Sequence, residues 1–155
     1  MGIVFSLGNV GFLVAAITAG RLAARLGVGW TLIGSAALTG WPLLLVPAAP
    51  DSQPIPFLVS ALVLASFGGV TYNVTGISLM QAITPSRLLG RMNASRRFVV
   101  WGVIPFGGLA GGVLGTTIGL RPTLWIAAIG TTVAFLPLLF SPLRSVVRTP
   151  EPLEE

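Results

Sequence analysis

The sequence predicts an all-α polytopic membrane protein with five transmembrane helices. Three observations lead there. Residues 1–20, 26–50, 52–86, 98–120 and 122–143 carry no charge, and each run reaches the roughly 20 residues a helix needs to cross a bilayer. Hydrophobic residues make up 54% of the chain and charged residues 8%, with mean hydropathy +0.91. A soluble domain carries roughly 25% charged residues, so no water-facing surface can be built from this composition. Finally, eight of the nine basic residues, all arginine, fall in gaps that alternate to one side of such a bundle.

Taken in order, the spans are expected at about residues 2–20, 30–47, 56–82, 97–118 and 122–141 of a transmembrane domain covering 1–148. The first span lacks a basic stretch before it and is followed by Arg21 and Arg25, the reverse of a cleaved signal peptide. Gly8, Gly11, Ala15 and Ala19 share one of its helical faces. The second span ends in a gap crowded by Pro47, Pro50, Pro54 and Pro56, with Asp51 and no arginine. Trp30, Trp101 and Trp125 fall near span ends, where indole rings favour the headgroup region, whereas Trp41 lies too deep for that belt.

The third span is the most polar. Ser66, Gly69, Asn73, Gly76 and Met80 recur at helical spacing on one face, flanked by Tyr72, and Asn73 is expected near the midplane. A buried amide there either joins helices or faces a wet cavity, because lipid offers it no partner. Ser66, Gly69, Tyr72, Asn73 and Gly76 are therefore the candidate substrate-cavity residues. Thr71, Thr75 and Ser78 are expected on the other face, bonded to their own helix backbone.

Four arginines, Arg87, Arg91, Arg96 and Arg97, occupy the third gap, where Thr84 and Pro85 read as an N-cap and first-turn proline. The helix they start is expected to run on into the fourth span. That span repeats Gly107, Gly111 and Gly115, with Gly108 and Gly112 beside them, a doubled small-xxx-small pattern that predicts close helix packing. Residues 119–122 allow only a tight hairpin, holding Arg121, before the last span. Residues 149–155, with two prolines and three glutamates, are expected to form a disordered cytoplasmic tail. By the positive-inside rule the arginine-rich gaps and the tail are cytoplasmic, and the N-terminus is outside.

The net charge of +5 and pI of 11.7 do not point to nucleic acid, since the arginines sit in short loops rather than a basic patch. Without Cys or His, common zinc, haem and thiol chemistries lack their ligands, and no metal or cofactor is expected. There is no carboxylate pair, no serine with a histidine base and no phosphate-cradling loop, so the chain does not read as an enzyme. No Asp, Glu, His or Lys lies within a span, which leaves no midplane proton carrier.

Gly20, Arg21, Leu22, Ala23, Ala24, Arg25, Leu26 and Gly27 resemble the G-x-L-A-D-R-x-G-R-R loop of the major facilitator superfamily. Ala24 replaces its Asp, and Val28 and Gly29 replace its trailing basic pair. Residues 84–94, with Pro85, Arg87, Gly90 and Arg91, resemble the loop before the eleventh helix in that superfamily's bacterial drug and siderophore exporters, the enterobactin-exporter-like branch. Gly102, Pro105, Gly107 and Gly108 partly echo an antiporter signature. The resemblance implies helices eight to twelve of a twelve-helix inner-membrane transporter, with helix seven and the amino-terminal half missing. It also makes the third span the cavity-lining tenth helix. Partners are then the lipid bilayer, a small amphipathic substrate for efflux by alternating access, and the missing half or another membrane subunit. The alternative is a non-transporting remnant or a structural helix-packing partner.

Overall fold

The computed structural model describes residues 2–50, 52 and 54–141, with side chains from residue 11 onward. The tail expected at 149–155, with Arg144, Arg148 and Asp51, lies outside the described residues, as does the side-chain face of Gly8. Within the described residues every regular element is helical. Helix α1 (Gly2–Leu26) is followed by α2 (Val28–Gly40), a 3-10 turn (Trp41–Leu44), α3 (Leu45–Ala48) and α4 (Pro54–Ile83). A second 3-10 turn (Ser86–Leu88) leads into α5 (Leu89–Thr117), α6 (Leu120–Val133) and α7 (Leu136–Phe140). Four stretches, Val28–Ala48, Pro54–Ile83, Ser86–Thr117 and Leu120–Phe140, are long and apolar enough to cross a membrane. The 25 residues of α1 cover about 37 Å, also sufficient for a crossing. The chain is an all-α polytopic membrane protein.

The helices overrun the expected spans because charge alone does not end a helix. Arg21 and Arg25, expected in a loop, lie inside α1, where cations near the C-terminus complement the helix dipole. What ends α1 is Gly27, whose φ of 85° suits a residue without Cβ, so a single residue joins α1 to α2. Gly119, at φ 91°, turns the chain between α5 and α6 in the same way. Thr84 does not cap the following helix. Its hydroxyl donates backward to the Met80 carbonyl at 2.6 Å, and Pro85 opens the turn with no side-chain cap.

The core forms where α4 packs against both α1 and α2. Ala15 and Ala19 of α1 and Ala61 of α4 are fully buried. A Cβ on Gly11 would strike the carbonyl of Val63, so the stripe read in the first span does meet another helix. On Gly68 it would lie 2.7 Å from both the Ser35 oxygen and the Thr39 nitrogen, a backbone-to-backbone approach of α4 and α2. Gly40 is pressed against Thr131 and Thr132 of α6, with a virtual Cβ 2.9 Å from the Thr131 oxygen. Small residues let helices associate this closely where lipid provides no hydrophobic drive.

The glycines of the fourth span behave differently. Gly107, Gly108, Gly111, Gly112 and Gly115 have nothing within 4 Å of a virtual Cβ, and no residue of α5 is buried. Within the described residues no other helix approaches the Cβ positions of the doubled glycine pattern; the spacing identifies a packing face but not its partner.

Two proline breaks explain Trp41. Pro42 converts α2 into the 3-10 turn, Pro137 stands at the start of α7, and at these two breaks Trp41 meets Phe135 edge-on, ring centroids 6.4 Å apart. Arg121, the one arginine of the opposite side, donates through Nε to the Pro47 carbonyl and through Nη2 to the Ala49 carbonyl, both at 3.1 Å. It thereby closes carbonyls left open at the end of α3.

Candidate functional site

The face of α4 read as a cavity wall is divided among three neighbours. Gly69 and Tyr72 line a cavity of about 220 Å³, completed by Ala36 and Thr39 of α2, Thr131 of α6, Ala134 and Phe135 at the second break, and Leu138. Its walls are mostly apolar. The Thr39 and Thr131 hydroxyls donate to the Ser35 and Ala127 carbonyls, each at 2.8 Å, which leaves the Tyr72 phenol as the main polar feature of the wall. Gly76 turns toward α2, where a Cβ would sit 3.8 Å from Leu32 Cδ2. Ser66 is half-buried and lines none of this space.

Asn73 points elsewhere. Its Oδ1 accepts a hydrogen bond of 2.9 Å from Arg96 Nη2, across from α4 to α5. Asn73 lies past the middle of the 30-residue α4, within reach of an arginine near the start of α5. No spacing in the sequence signals this pairing, since the partners are 23 residues apart on different helices.

Sequence reasoning also missed Thr71 and Thr75. They were expected to bond their own backbone, as Thr31, Thr39, Thr84, Thr123 and Thr132 do. Instead they are 1% and 3% exposed, and their hydroxyls have no hydrogen-bond partner among the described residues. The cue lies in the spacing, because Thr71 and Thr75 share a helical face with Gly68, whose backbone meets α2. An orphaned buried hydroxyl costs about 1–3 kcal/mol. Thr71→Val should accordingly leave the thermal midpoint in detergent unchanged or raise it, and a fall of several degrees would show that the hydroxyl has a partner.

The two loop motifs meet at one end of the bundle. Gly68 meets Leu38 and Thr39 while Gly76 meets Leu32, so α2 and α4 run antiparallel and the Gly27 joint lies beside the end of α4. Gly20, Arg21 and Arg25 sit on the last turns of α1, Pro85 and Arg87 in the connection, and Gly90 and Arg91 in the first turn of α5. Gly20 and Gly90 have no neighbour within 4 Å of a virtual Cβ. Among the described residues no cluster of metal-ligating side chains occurs.

A family model described as Major Facilitator Superfamily matches residues 1–155. No curated protein and no solved structure matches the chain.

Proposed function

Because this chain belongs to the Major Facilitator Superfamily, we propose that it serves as helices eight to twelve of a secondary active transporter that exports small amphipathic molecules. That family is one of transporters and not of enzymes. The proposed assembly pairs this chain with a complementary half, either a separate membrane subunit or a continuous amino-terminal part. The two halves rock about a site between them, the usual arrangement for alternating access. The drug and siderophore export branch is proposed on the likeness of residues 84–94, and the inner membrane as the location.

The observation that carries this reading is α5. It is long and apolar enough to cross a bilayer, and none of its residues is buried, which exposes a glycine ladder together with Phe98, Trp101, Phe106 and Leu109. Flat glycine faces gain close contact only from another helix, and within the described residues α5 packs mainly on α6.

Two measurements test it. In a drug-sensitive host the chain alone should give no efflux, and co-expression with a complementary half should restore it; energy-dependent efflux by the chain alone would overturn the half-transporter reading. Cysteines at Ser52 and Ser95 should label from opposite faces, outside and cytoplasmic respectively. Labelling of both from one face would overturn the topology.

A further inference from the structure

We propose that Arg96 and Asn73 form a recognition site for the anionic group of an amphiphile, a phosphate, sulfonate or carboxylate carried on an apolar body. The inference deepens the transporter reading and rests on it in calling that amphiphile a substrate. Arg96 is half-buried on α5 and donates to Asn73 through Nη2. Guanidinium carries five N–H donors and no acceptor, and a primary amide has one acceptor oxygen and two N–H donors. Their mutual bond takes one lone pair of the amide oxygen, so donors predominate among the polar groups the pair still offers. Such a pair suits several oxygens of one anion, and guanidinium matches phosphate and carboxylate geometry.

Charge points the same way. All four acidic residues of the chain are Asp51, Glu151, Glu154 and Glu155, so the described residues contain no carboxylate. Asp51 precedes α4 and is 22 positions from Asn73, about 33 Å along a helix. No other hydrogen bond or ion pair engages Arg96 among the described residues. An arginine at the membrane boundary normally extends to water. Here it is held against an exposed amide on another helix, within reach of an incoming anion. Val99 and Val100, three and four positions beyond Arg96 on α5, are exposed, so apolar surface for the body of the amphiphile adjoins the charge.

The test uses the full chain in phosphatidylcholine nanodiscs, with tryptophan quenching by 11-bromoundecyl phosphate and by 11-bromoundecyltrimethylammonium. Wild-type protein should bind the phosphate at least tenfold more tightly than the cation. Arg96→Gln should abolish that preference, and Arg96→Lys, which keeps the charge but loses the fork, should reduce it. Arg97→Gln removes the same charge from the exposed neighbouring position and should leave the preference in place. Equal weakening by R96Q and R97Q would mean surface potential alone and would overturn the site, as would equal binding of the two probes. Competition separates two sources of the same chemistry. Displacement by phosphatidylglycerol, lost in R96Q, identifies a lipid headgroup; displacement by decyl phosphate but not by phosphatidylglycerol identifies a free amphiphile. If neither competes, the site is overturned. Binding is read without transport, so its failure and a failure of the efflux experiment are distinct results.

Discussion

Gly68→Leu should unfold the bundle at its centre. A Cβ at this position would lie 2.7 Å from the Ser35 oxygen and the Thr39 nitrogen and 2.8 Å from the Leu38 carbonyl carbon. All three are backbone atoms, which cannot rotate away as a side-chain tip can, so α2 and α4 must separate. Overpacking a well-packed core costs about 1–3 kcal/mol, and here the whole Leu side chain has no space. The expected result is a thermal midpoint in detergent lowered by many degrees, or no folded protein recovered. Gly68→Ala, which adds only the Cβ, should lie between Leu and wild type. A midpoint unchanged by both substitutions would mean that the two helices do not approach this closely.

Gly111→Leu should do the opposite in the isolated chain and the same in the assembly. Nothing lies within 4 Å of a Cβ at Gly111, so the side chain enters open space and the midpoint of the chain alone should not move. When a complementary half is supplied and efflux is restored, Gly111→Leu should abolish that efflux, because its side chain stands on the face proposed to receive the partner helix. Preserved efflux with undiminished membrane abundance would remove α5 as the joining face. A lowered midpoint in the isolated chain would show instead that the ladder packs within the chain.

These two substitutions also mark what could be read in the sequence. Charge-free runs and arginine gaps suffice to give helices and their order, because hydrocarbon admits few alternatives to a continuous helix. Helix ends were less legible. Arg21 and Arg25 look like a loop in a hydropathy profile, yet only Gly27 changes the backbone direction. Glycine spacing shows that a face is built for contact, as at Gly11 and Gly111 alike, but the atoms that arrive there belong to other helices. Gly68 stands in no extended glycine repeat and was not singled out, although its approach is among the closest in the chain. At the candidate site, Gly69 and Tyr72 were expected on a cavity wall and line one, whereas the Arg96 to Asn73 bond joins residues 23 positions apart and leaves no local pattern.

The central position of α4 bears on how the protein is made. Helices α1 and α2 emerge from the ribosome before α4, yet the close approaches of Gly11 and Gly68 join them to α4, which begins only at Pro54. Between insertion of the α1–α2 hairpin and arrival of α4, the surface of Gly11, Ala15 and Ala19 waits without the helix that buries it here. Helices that insert independently and associate afterward tolerate such a delay. Chains truncated after Ala49 should therefore insert but remain accessible to degradation, and synthesis through Ile83 should confer protection in a single step.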